Sequence, residues 1–160
     1  RTGHKGAACL TLMFDALKAV VSIKTIMPLL SMHHTPLYIS ESIYPLLTAF
    51  GTCLGHLYPL FYHFKGGKGI ATLGGVHFAL YWLFGLIMVG IWLLTAWISR
   101  YSSLAGLVMV ILAIPLSYIF INNDSMLFYI TIAPFIIFRH KDNIKRLQKG
   151  HESKINVTPK

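Results

Sequence analysis

Between Gly55 and Thr72 the chain reads GHLYPLFYHFKGGKGIAT, which sets four glycines, two lysines and two histidines between long apolar runs. Gly66, Gly67, Lys68 and Gly69 stand just before an expected helix. Glycines let backbone N–H groups turn toward a ligand, and a helix N-terminus adds partial positive charge. With Lys65 and Lys68 beside them, these residues suit a phosphate cradle. The stretch is not a Walker A loop, which would need glycine at Tyr62 and serine or threonine at Gly69. No strand precedes it, so it is not a dinucleotide fingerprint. A glycine turn whose lysines meet lipid phosphates explains the composition as well.

Other polar groups are few. Asp15 and Lys18 lie three apart on one face of the first apolar run, where structural pairing and a functional role are both open. His56 reads as an interhelical hydrogen bonder, and His63 as an interfacial residue. His33, His34 and His77 form no metal-ligand pattern. Ser102 or Ser103 reads as the N-cap of a helix starting at Leu104. His140, Lys141, Asp142 and Asn143 open a basic tail, whose plainest form is a solvated helix with Ile144 and Leu147 as its apolar face. Cys9 and Cys53 have no CxxC spacing and are expected to be buried, inert thiols.

The elements that must position these groups are membrane helices. Of the 160 residues, 55% are hydrophobic and only 12% charged, too few charges for a soluble surface. Mean hydropathy is +0.62. The net charge of +9, from 14 Lys+Arg against five acids, fits anionic headgroups, an anionic substrate or the orientation signal of membrane proteins. It does not fit nucleic acid, because apolar spans separate the basic residues. Apolar runs cover about 7–30, 44–64, 70–99, 104–121 and 126–138, and none alternates as barrel strands do. The chain begins at Arg1 with no signal-peptide layout.

Lys/Arg-rich and Lys/Arg-free loops alternate, and the positive-inside rule puts the rich ones in the cytoplasm. Lys68 and Arg100 then share a side only if 70–99 crosses an even number of times. As one helix it would be about 45 Å long. A short helix to about Tyr81, a break near Gly85 and a second helix to about Ser99 satisfy both conditions, the first leg being re-entrant if too short to span. This topology gathers Arg1, Lys65, Lys68, Ser102, Ser103, His140 and Asn143 at one face.

Gly55–Gly69 matches GHxxPxFxxFxGGKG at every fixed position: Gly55, His56, Pro59, Phe61, Phe64, Gly66, Gly67, Lys68 and Gly69. In this the chain resembles the bacterial acyl-phosphate:glycerol-3-phosphate acyltransferase family, PlsY. SRYSSLAG at Ser99–Gly106 agrees, and RHKDNIKRLQKGHE at Arg139–Glu152 resembles the family signature RHRENIxRLxxGxE, with Asp142 in place of Glu. RTGHKGAACLTLMFDALKAV fits the segment after the family's first signature, so the likeness covers nearly the whole chain.

The resemblance implies an all-α, polytopic membrane helix bundle. About six membrane segments lie here, and seven make up the complete family fold. Residues 1–160 form one domain ending in a basic cytoplasmic tail, 139–160. The family's first helix and its SGNxGATN stretch are not in this sequence, so the chain is expected to be an N-terminal truncation. The implied reaction moves a fatty acyl group from acyl phosphate to the 1-hydroxyl of glycerol 3-phosphate, giving lysophosphatidic acid and phosphate. It needs no cofactor or metal. By motif matching, Gly55, His56, Lys65, Gly66, Gly67, Lys68 and Gly69 bind acyl phosphate. Lys65, Ser103, His140 and Asn143 bind glycerol 3-phosphate or assist its hydroxyl, with Arg1 as a further phosphate ligand. His140 is the best protein base by its ordinary titration range, the acyl phosphate itself being the other candidate. Implied partners are membrane lipid and the enzyme that supplies acyl phosphate, at the cytoplasmic membrane. The rival readings are an inactive fragment, a noncatalytic binder of anionic lipid or metabolite, and a transporter. No inverted repeat supports a transporter, and no histidine has Asp five residues on, as HxxxxD acyltransferases require.

Overall fold

The computed structural model describes residues 5–32 and 43–155; Arg1, His33 and His34 lie outside them. The regular elements of the described residues are all helical, seven α-helices and one 3-10 turn. They form two compact units, Arg1–Gly85 and Leu86–Lys160.

In the first unit, α1 is Lys5–Met32, α2 is Ile43–Leu57 and α3 is Ile70–Leu80. α2 buries Leu46, Ala49, Cys53 and Leu57, one helical stripe, and α3 buries Leu73, Val76 and Ala79. α1 buries Ala19 and Ile23, while Leu12, Phe14 and Val21 on it are exposed. α1 and α3 meet backbone to backbone, for a Cβ on Gly75 would collide with the carbonyl oxygen of Ala16. Cys53 is buried as expected, whereas Cys9 is exposed on α1.

The second apolar run is not helical to Phe64. α2 stops at Leu57, ahead of Pro59, and a 3-10 turn covers Leu60–Tyr62. His63 and Phe64 follow with left-handed backbone, φ 50° and 59°. His56 and His63 therefore do not lie on one helix.

The 70–99 run is divided, but at Tyr81 rather than near Gly85. Tyr81 is extended, with its N–H on the His77 carbonyl, and α4 runs over Trp82–Ser99. Gly85 is inside α4, where the ring of Phe78 fills the place a Cβ would take.

The second unit holds the rest of α4, then α5 (Ser102–Phe120), α6 (Asn123–Arg139) and α7 (Lys141–Gln148). α5 and α6 pack on stripes that include Ala105, Met109 and Ala113 on one and Tyr129, Ile132 and Ile136 on the other. Asn122 caps α6, its side chain accepting from Ser125 N–H at 2.8 Å. The expected serine cap on α5 is not made. Tyr101 is the N-cap residue, with no side-chain cap bond, and both serines lie within the helix.

α1, α4 and α5 contain stretches long and apolar enough to cross a membrane: Gly6–Ile26, Trp82–Ser99 and Ser102–Phe120. Exposed Leu94, Trp97 and Ile98 on α4 and Ile119 and Phe120 on α5 would be ruinous in water and are ordinary against lipid. This is an all-α polytopic membrane fold.

Candidate functional site

In the first unit the glycine loop is built on His56. After Pro59 the chain reverses, with Phe64 N–H on the Pro59 carbonyl at 3.0 Å and Lys65 N–H on the Tyr62 carbonyl at 3.0 Å. Gly67 N–H then donates to the His56 carbonyl at 3.2 Å. A Cβ on Gly66 would strike that same carbonyl oxygen and, at 2.6 Å, the Leu57 carbonyl oxygen; one on Gly67 would strike His56 Nε2. These two glycines are therefore required by close approach to residue 56. Of the loop glycines Gly66, Gly67 and Gly69, only Gly69 has positive φ, at 83°. It is the N-cap residue of α3 and, as glycine, makes no side-chain cap bond of its own. Lys65 and Lys68 are exposed beside it; Gly55 is exposed too, and a Cβ there would meet nothing within 4 Å among the described residues.

Beneath the loop lies a charged cluster. Lys18 Nζ is 2.6 Å from Asp15 Oδ1 and 2.9 Å from His56 Nδ1, and Asp15 Oδ1 is 3.5 Å from the same ring nitrogen. The Asp15–Lys18 pair visible in the sequence thus acquires His56 from α2 as its third member.

In the second unit the centre is a residue that motif reading had not singled out, Glu152. Its Oε1 accepts from Ser103 Oγ at 2.7 Å and from Asn143 Nδ2 at 2.6 Å, and its Oε2 accepts from Arg146 Nε at 2.7 Å. Burial pushes the carboxyl up, but the hydrogen bonds from Ser103, Asn143 and Arg146 and the Arg146 charge outweigh it. They bring the carboxyl from 4.5 down to about 2. Because a carboxylate only accepts, Ser103 and Asn143 spend a donor each on it. Ser103 Oγ and Asn143 Oδ1 retain acceptor lone pairs.

The path that brings Glu152 there is local. α7 ends in a Schellman turn, with His151 N–H on the Arg146 carbonyl and Gly150 N–H on the Leu147 carbonyl. Gly150 takes φ 70°, open to it because it lacks a Cβ. The strap after it returns to the start of α5, where Ile155 N–H donates to the Arg100 carbonyl at 2.7 Å. That bond, with Ser99 Oγ accepting from Tyr101 N–H, holds Arg100 at φ 61°.

His140 is buried at the junction of α6 and α7. Its Nδ1 lies 2.8 Å from the Ile136 carbonyl oxygen, which only accepts, so Nδ1 carries a proton and donates it. α7 turns Asn143 inward, with Ile144 and Leu147 only half-buried. Ser103 and Asn143 are thus brought together through Glu152. Lys65, Lys68 and the loop glycines belong to the other unit.

Residues 1–150 match the family described as glycerol-3-phosphate acyltransferase. A glycerol-3-phosphate acyltransferase of Cupriavidus metallidurans is 39% identical over 162 residues, covering 100% of this chain and 77% of the relative. One of Francisella tularensis subsp. novicida is 42% identical, over 97% of this chain and 72% of the relative. The crystal structure of PlsY (YgiH), an integral membrane glycerol 3-phosphate acyltransferase, in its glycerol 3-phosphate form, superposes with a TM-score of 0.80 at 31% identity. The match covers 96% of this chain and 73% of that one. Its lysophosphatidic acid form gives 0.79 over 96% and 74%.

Proposed function

This chain belongs to the glycerol-3-phosphate acyltransferase family, and on that premise we propose that it transfers a fatty acyl group from acyl phosphate to the 1-hydroxyl of glycerol 3-phosphate. The observation that carries the reading is Gly69, a left-handed residue that starts α3 with no side-chain cap bond of its own, beside exposed Lys65 and Lys68. Backbone N–H groups, the helix N-terminus and two cations there suit the phosphate of an acyl phosphate.

The mixed anhydride is already activated, so no enzyme nucleophile is needed. Orientation and charge stabilisation suffice. The glycerol hydroxyl oxygen attacks the acyl carbonyl carbon, the carbon–oxygen bond to phosphate breaks, and phosphate leaves with the electron pair. The hydroxyl proton passes to His140 Nε2 or to the leaving phosphate. Ser103 Oγ and Asn143 Oδ1, with donors committed to Glu152, suit the hydroxyl groups of glycerol 3-phosphate, and Lys65 and Arg1 its phosphate. The basic loops face the cytoplasm in this reading, as the positive-inside rule requires.

The test assays purified protein with palmitoyl phosphate and with palmitoyl-CoA as donors to glycerol 3-phosphate. Turnover with the phosphate and not the thioester is expected. Turnover with the thioester alone overturns the donor assignment, and no turnover with either favours a noncatalytic fragment.

A further inference from the structure

Asp15 and Lys18 sit inside an apolar span and belong to none of the motifs that carry the reaction. An ion pair there has to be stripped of water, and apolar side chains would pack α1 as well. Its geometry points elsewhere. An ammonium has three donors and no acceptor, so Lys18 Nζ at 2.9 Å from His56 Nδ1 can only donate. Nδ1 must then be unprotonated, and the ring is the neutral Nε2–H tautomer. Asp15, at 2.6 Å on the other side, fixes the ammonium in place.

The other ring nitrogen faces the glycine loop. His56 Nε2 stands where a Cβ of Gly67 would be, while the His56 backbone carbonyl receives Gly67 N–H and lies against Gly66. Three successive contacts thus run from α1 to the loop: Asp15 to Lys18, Lys18 to the imidazole, the imidazole to Gly67. We propose that Asp15 and Lys18 are positioning residues for the phosphate loop, acting by fixing the ring and tautomer of His56. The proposal rests on the reading of Gly66–Gly69 as the acyl-phosphate cradle. Without Lys18, Nδ1 would face the Asp15 carboxylate oxygen at 3.5 Å, which only accepts, and the tautomer would invert.

The experiment uses the purified protein with Lys18→Met, Lys18→Arg and, for comparison, Ile23→Ala, which removes a buried α1 side chain remote from the cluster in sequence. Nitrogen-15 spectra of the His56 ring should show Nδ1 unprotonated and Nε2 protonated in the parent, and the reverse in Lys18→Met. KM for palmitoyl phosphate should rise about ten- to a hundredfold in Lys18→Met with kcat changed much less, as misplacement of a binding element predicts. Lys18→Arg, which restores a donor, should recover most of the loss. Ile23→Ala should lower thermal stability and leave the ring spectrum and KM as they were. An unchanged tautomer in Lys18→Met, or an equal KM rise in Ile23→Ala, overturns the proposal. Failure of the cradle reading looks different: Lys68→Ala would leave KM unaltered while the ring spectrum of Lys18→Met still inverted.

Discussion

Ser103 Oγ donates to Glu152 Oε1 at 2.7 Å, although 49 positions separate the two residues. The contact ties the first turn of α5 to the strap beyond α7, and Asn143 and Arg146 complete the ring of donors. The Glu152 carboxyl titrates at about 2 in the fold against an ordinary 4.5. Its contribution is therefore fully present above pH 4.5 and is lost as pH falls from there through 2. Glu152→Gln should cost about 2 kcal/mol at pH 7, the scale of a hydrogen bond to a charged group left imperfectly replaced. Thermal unfolding in detergent at pH 7 and pH 3 checks this: the difference between parent and variant should shrink at the lower pH.

Lys68→Ala should lower kcat/KM for acyl phosphate roughly a hundredfold to a thousandfold, about 2–4 kcal/mol of transition-state stabilisation, by comparison with other preorganised donors. The exposed side chain has little packing to lose, so the melting temperature should stay near the parent value. Lys149→Ala, exposed beyond α7, is the control and should be silent in both measurements. Equal, mild kinetics for the two variants would make the loop a lipid-facing turn.

The glycines should separate by mechanism. Gly66→Ala drives a methyl into two backbone carbonyls and Gly67→Ala into a ring. Backbone yields less readily, so Gly66→Ala should be the more destabilising, by about 1–3 kcal/mol, as overpacking is. Gly55→Ala meets nothing within 4 Å among the described residues and should melt like the parent. Any activity it loses then reports substrate passing close to residue 55.

Topology is open to labelling. A single cysteine at Lys149, in a chain cleared of Cys9 and Cys53, should resist a membrane-impermeant maleimide applied to intact cells, while one at Ser40 should react. Equal labelling would reject the placement of the basic loops in the cytoplasm.

Helices α1, α5 and α6 were legible because uninterrupted apolar runs leave the chain little else to do in lipid. The glycine motif was legible because its spacing is long and gapless. The break at Tyr81 was not. Glycine was the natural place to look for it, yet Gly85 is glycine to admit the Phe78 ring, and an aromatic residue takes the extended conformation instead. Ser103 looked like a cap because a serine at a helix start usually is one, and its true partner lies far along the chain. Glu152 carried a signal in the Gly150–Glu152 spacing, but only the Schellman turn and the return to Arg100 give it meaning. Likewise Asp15 and Lys18 were visible as a pair, and His56 as a polar residue, while their contact depends on how α1 meets α2.

The close meeting of Gly75 and Ala16 bears on how the protein is made. α3 has 11 residues, about 16 Å, roughly half the thickness of a bilayer core. Such a segment gives the insertion machinery too little apolar length to be released sideways on its own. It is expected to enter as a passenger, docking against an α1 already in the bilayer along the line where Gly75 meets the Ala16 backbone. Widening that line at residue 75 should therefore be felt during biosynthesis, as chains degraded before completion, more than in the melting of those that mature.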